Sequence, residues 1–124
     1  MQTEDAARID RVIDLAIARL SLQDIASGPA LEMGLGPRWK DHSALDYIVQ
    51  DLKRFPGKGW VLIATSLQSP VVRNRNMAIK ALAAWPKSAW PSEALPLVRR
   101  VIKDEPDPKV KDRLEDLLRP KTSD

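Results

Sequence analysis

The chain has 124 residues, with 20 lysines and arginines against 17 aspartates and glutamates and a net charge of +3, so it fits one domain and is neither a histone-like tail nor an acidic solvating segment. Its 44% apolar content can form a core. With no cysteine and one histidine, a disulfide framework, a thiol nucleophile and a multi-histidine metal centre are excluded.

No apolar run exceeds about five residues, whereas a spanning helix needs roughly 20. The acidic start, Glu4, Asp5, Asp10 and Asp14, is unlike a secretory leader. A cytoplasmic location with no membrane partner is expected.

Ten prolines punctuate the chain, and the apolar spacing between them is helical, so the fold class is all-α. Residues 1–22 read as an N-terminal amphipathic helix: between Thr3 and Leu20, the residues Ile9, Val12, Ile13, Ala16 and Leu20 share one stripe. Thr3 is its expected N-cap, with Glu4 and Asp5 at the positive end of the dipole. Residues 23–42 read as a strap or connector, because Gly28, Pro29, Gly34, Gly36 and Pro37 leave room for no more than a turn of helix from Ala30 to Met33. Ser43 to Phe55 carries the stripe Leu45, Ile48, Leu52, Phe55, capped by Ser43 and ended by Pro56-Gly57. Trp60 to Ala64 fits a buried strand or a helix, and its helical surroundings favour helix. Pro70 opens a helix with Ala78, Ala81, Leu82 and Trp85 inward, stopped by Pro86. Leu95, Val98, Val101 and Ile102 mark the next, ending near Glu105, with Pro96 either in its first turn or at a kink. Pro108 starts the last, with Val110, Leu114, Leu117 and Leu118 facing the core and Pro120 closing it. Residues 120–124 are expected to fray.

Charge is divided along the chain. Residues 1–36 carry three basic and six acidic side chains, and residues 37–124 carry 17 and 11, which puts any basic partner surface in the C-terminal part. A shift of 36 residues lays Arg75, Ala78, Ala81 and Leu82 on Lys111, Leu114, Leu117 and Leu118, and Val61 and Leu62 on Leu97 and Val98. This is the period of helical hairpins that bury their apolar faces by stacking on a neighbour.

The pattern Arg75-x-x-Ala78-x-x-Ala81-Leu82 resembles the second helix of a HEAT repeat, and Pro108 to Leu118, with Val110-Lys111, resembles the next. Residues 43–119 as a whole resemble the HEAT-repeat family of α-solenoids. The resemblance implies a short α-α superhelix of about six helices in stacked antiparallel hairpins, and a ladder pairing the basic residue with a carboxylate near the preceding turn. Asp104 or Asp107 suits Lys111, but Gln68 to Val71 holds no carboxylate for Arg75. Arg75 is thereby left for a ligand, or for a partner such as Asp46 or Asp51. Phe55 to Leu82 is also similar to bacterial HEAT-type proteins labelled limonene hydroxylase. The chain has neither the two histidines of a non-haem iron site nor the βαβ pattern of a dinucleotide enzyme.

Among candidates for chemistry, Gly34-Leu35-Gly36 and Pro56-Gly57-Lys58-Gly59 could offer backbone amides to an anion. Neither has nucleotide-loop spacing, and both read as turns. His42 could act as a base, but it stands just before a helix start with no nucleophile beside it, and reads as capping or solvated. Asp10 and Asp14, one turn apart, read as a solvated face or as partners of Arg8 or Arg11. Trp85 continues a core stripe, Trp90 can cover a hairpin end, and Trp39, between Arg38 and Lys40, is the candidate exposed anchor. Arg73, Asn76, Lys80 and Lys87 lie opposite the Ala78 to Trp85 stripe, and Arg99, Arg100 and Lys103 decorate the next helix. Such cations suit phosphates as well as carboxylates, and some HEAT-like proteins, alkylpurine DNA glycosylases among them, hold DNA on basic helical surfaces.

The expected function is a non-catalytic scaffold binding another protein, or a second copy, through Arg73, Asn76, Lys80, Arg99, Arg100 and Trp39. Nucleic-acid backbone binding is the alternative, and an enzyme of unknown type the third. No cofactor or metal is expected.

Overall fold

The computed structural model describes residues 2–20, 22–28 and 40–119, with side chains from residue 7 onward. Its α-helices are α1 (Gln2–Arg19), α2 (Leu22–Ile25), α3 (Lys40–Leu52), α4 (Trp60–Leu67), α5 (Val72–Ala84), α6 (Ala94–Asp104) and α7 (Pro108–Leu118), with a 3-10 turn at Lys87–Ala89. No strand occurs among the described residues. Trp60 to Ala64, compatible with either state, is helical because a lone strand here would have no edge to satisfy its backbone groups.

Local chemistry sets several helix ends. Asp107 Oδ1 accepts from the backbone N–H of Lys109 (2.8 Å) and Val110 (3.4 Å), with Pro108 opening α7. Gly59 enters α4 at φ 74°, a left-handed conformation that suits glycine. Before Pro86, Trp85 turns extended at ψ 141° and α5 ends. Other ends differ from expectation. Helix α1 begins at Gln2, so Thr3 lies inside it and does not cap it. Helix α3 begins at Lys40, with Asp41 favourably placed in its first turn, and stops at Leu52. His42 and Ser43 therefore lie within the helix, and Phe55 sits in the turn that follows. The Gly/Pro-rich region contributes the short α2, and the Gly28 N–H donates to the Gln68 carbonyl at 2.7 Å, tying it to the end of α4. Trp39, the Ala30 to Met33 turn and the 120–124 tail lie outside the described residues.

The helices form a bundle of two rows. Helices α1, α3, α5 and α7 pack side by side in one row, and α2, α4 and α6 in the other; the rows meet through α3–α4, α4–α5 and α6–α7. Each of α4–α5 and α6–α7 is thus a hairpin with one helix per row. The core lies between the rows and includes Leu45, Leu52, Leu62, Leu82, Val98 and Leu114, with Trp85 fully buried. Helices α5 and α7 start 36 residues apart (108 − 72), and Ala78, Ala81, Leu82, Leu114 and Leu117 are all buried.

Arg75 is not open to a ligand, and neither Asp46 nor Asp51 is its partner. It is 1% exposed, and its fork meets Glu105 twice: Nε to Oε1 at 2.7 Å and Nη2 to Oε2 at 2.6 Å. Nη1 donates to the carbonyls of Ser69 (3.0 Å) and Pro70 (3.2 Å), while Glu105 Oε2 also accepts the Asp107 N–H (3.0 Å). The carboxylate comes from the turn after α6, 30 residues downstream, and not from the turn preceding Arg75. The pair ties the α4–α5 turn to the α6–α7 turn. Lys111, the matching position in α7, is exposed.

Candidate functional site

Clefts open at the seams of the α1/α3/α5/α7 row. The α1–α3 cleft (330 Å³) lies between Arg8, Ile9 and Val12 on one side and Tyr47, Asp51 and Arg54 on the other. The α3–α5 cleft (330 Å³) lies between Tyr47, Gln50 and Asp46 and the α5 residues Arg73 and Met77. Tyr47 lines both and is 76% exposed. It stands out because Leu45, Val49 and Leu52 form the buried stripe of α3, and a residue two positions after Leu45 is rotated by about 200°. Tyr47 was not singled out from the sequence. The signal that finds it is a large aromatic on the polar side of a helix.

Beneath the second cleft, a polar cluster joins α3 to α5. Asp46, almost fully buried, accepts from Arg73 Nε and from Asn74 Nδ2. Asn74 Nδ2 also donates to the His42 carbonyl (2.9 Å), and Asn74 Oδ1 accepts from Ser69 Oγ (2.7 Å), which itself accepts the Val71 N–H (3.0 Å). Arg73 Nη2 reaches Ser43 Oγ at 3.2 Å. His42 is buried; the earlier start of α3 turns it inward, so it is neither a cap nor solvated. Burial pushes its imidazole below the ordinary 6.5, and Arg73 acts in the same direction, while the carboxylates of Asp41 and Asp46 oppose them.

The residues expected to form the binding surface fall on both rows. Arg73 is half-buried and neutralised by Asp46, and Asn76 Oδ1 accepts from Arg113 Nη1 at 2.8 Å. Lys80 is exposed on the same stripe of α5. These three share a row with Tyr47. Arg99 and Arg100 belong to α6 in the other row, where both are exposed and Arg100 Nη2 donates to Gln68 Oε1 at 3.1 Å. The five do not make one patch, since α5 and α6 lie in different rows.

Asp10 pairs with Lys58 at 2.8 Å, not with Arg8 or Arg11, so the turn at Pro56-Gly57-Lys58-Gly59 is held against α1 by its lysine. Asp14 is exposed. Among the described residues no group of three His, Cys, Asp or Glu side chains is placed to hold a metal ion, and no helix is long and apolar enough to cross a membrane. Comparison with family models, with curated proteins and with solved structures returned no match.

Proposed function

We propose that the chain is a non-catalytic, HEAT-like helical scaffold of the cytoplasm that binds another protein across the α1/α3/α5/α7 row. Tyr47 is the central anchor, with Arg8 and Arg54 beside it and the exposed Lys80 on α5 in the same row. The observation that carries the reading is the exposure of Tyr47 between two clefts. Tyrosine and arginine are the residue types that dominate interface energies, and they do so when set among pockets that a partner can fill. The Asp46–Asn74 cluster underneath holds α3 and α5 in fixed relation, which lowers the ordering cost of binding. Two-row packing, paired hairpins and the 36-residue offset between α5 and α7 support the HEAT-like part.

A photo-crosslinking amino acid at position 47, compared with one at the exposed Leu95 of the opposite row, tests the assignment in native cell extract. A specific adduct is expected from position 47 alone. Tyr47→Ala should leave thermal unfolding unchanged and weaken binding of the captured protein by about tenfold or more. Equal adducts from both positions refute the reading.

The exposed cations of this face favour nucleic-acid backbone binding as the second reading. Neutralisation of Arg73 by Asp46 and the presence of Asp51 beside Arg54 weigh against it. An affinity that falls steeply with salt, on duplex or single-stranded probes, would favour it.

A further inference from the structure

The seam between α5 and α7 holds a cleft of different character. It is 230 Å³, floored by Ile79, Leu82, Trp90 and Leu117. Its rim carries Lys87, Arg113 and Arg119 against a single carboxylate, Asp116. Asp116 is engaged by Arg119, so the remaining rim charge is that of Lys87 and Arg113.

The walls are already ordered. Trp90 Nε1 donates to the Leu82 carbonyl at 3.2 Å, which fixes the indole, and Lys87 Nζ lies 4.9 Å from the centre of its ring. Arg113 is oriented by the neutral carbonyl of Asn76 (2.8 Å), which positions the guanidinium without cancelling its charge. Two cations thus stand beside an apolar floor, each with one contact that orients it. A cleft of this volume has room for one large apolar side chain, and the cations on its rim suit carboxylates on either side of it.

We propose that the α5–α7 cleft docks a peptide segment carrying one large apolar side chain flanked by carboxylates. The apolar group lies on Trp90 and Leu117, and the carboxylates meet Lys87 and Arg113. The rim supplies the charge complementarity, and its preformed geometry lowers the cost of binding. This cleft lies at another seam of the same row and shares no lining residue with the two clefts beside Tyr47, so the proposal does not rest on that reading.

The test is titration of isotope-labelled protein with an acidic dodecapeptide containing one central Phe, followed by NMR. Saturable shifts are expected at the Trp90 indole N–H and the Leu117 amide. Changing the peptide Phe to Ala, or its acidic residues to Lys, should weaken binding by about tenfold or more. On the protein, Arg113→Glu and the cleft-filling Ala83→Leu should do the same, while Arg99→Glu, on the opposite row, leaves affinity unchanged. Should Arg113→Glu fail to fold, Lys87→Glu on the 3-10 turn gives the same readout. The proposal is overturned by an absence of shifts at about 1 mM peptide or by equal binding of the Ala peptide. A single-stranded oligonucleotide of equal charge that binds the cleft more tightly than the peptide would also overturn it.

Discussion

Glu105→Gln breaks the charge balance of the buried pair that joins the two hairpin turns. Both side chains are essentially inaccessible, 1% for Arg75 and 0% for Glu105, so the guanidinium left behind cannot recover its hydration. Removing one partner of such a pair costs about 3–5 kcal/mol, against a total stability of about 5–15 kcal/mol for a domain of this kind. The unfolding temperature should fall by about 10–20 °C. Arg75→Met should cost at least as much. It strands the Glu105 carboxylate and also removes the donor to the carbonyls of Ser69 and Pro70. The double variant removes both charges. What remains is a buried Ser69 carbonyl without its donor and a poorly paired amide, together about 2–4 kcal/mol. The double should therefore be more stable than the sum of the singles by about 2 kcal/mol or more. Urea unfolding followed by far-ultraviolet circular dichroism measures all three. A cost for Glu105→Gln below about 1 kcal/mol, the value of an exposed ion pair, or strict additivity in the double, would refute the argument from desolvation.

Other consequences follow from particular contacts. Gly59→Ala places a Cβ 2.8 Å from Leu52 Cδ1, in a backbone at φ 74°, and should cost about 1–3 kcal/mol. Gly28→Ala, at φ 119° with open space around it, should cost only the backbone strain; equal melting of the two variants would refute the packing of the turn on Leu52. Trp85→Phe loses the Nε1 bond to the Leu52 carbonyl (2.8 Å) at a fully buried site, and should cost about 2–4 kcal/mol in urea unfolding. A loss below about 0.5 kcal/mol, the scale of a surface substitution, would contradict its place in the core. His42 has a native pKa lowered from 6.5, so the unfolded chain takes up the proton first. Stability is full above about pH 6.5 and declines as pH falls from there toward the native value. His42→Gln should flatten that slope in urea midpoints taken between about pH 8 and pH 5; an unchanged slope would show that His42 does not cause it.

The helices are legible in the sequence because their causes are local. Ile9, Ile13 and Ala16, then Ala78, Leu82 and Trp85, then Val110, Leu114 and Leu117 all fall on one side at helical spacing, and all are buried. Pro86 and Pro108 delimit helices by denying or presetting the backbone at their own positions. Asp107 caps α7 through groups two and three residues away. These effects act within a turn of chain, so they survive without knowledge of what packs where. Boundaries shift where local preferences are nearly balanced, as at Lys40, where α3 starts ahead of Ser43.

Partners are another matter. Arg75 meets a carboxylate 30 residues away, and Asp46 takes Arg73 and Asn74 from a different helix. Nothing within a turn of these residues announces the choice, because it depends on which helices become neighbours once the apolar stripes are buried together. The same packing turns His42 inward, leaves Tyr47 standing between two clefts, and separates Arg99 and Arg100 from the cations of α5. Residue order alone makes this chain helical and sets which side of each helix is greasy. Only the juxtaposition of the rows decided which charges are neutralised and which face water, since electrostatic and hydrogen-bond partners act across space and not along the chain.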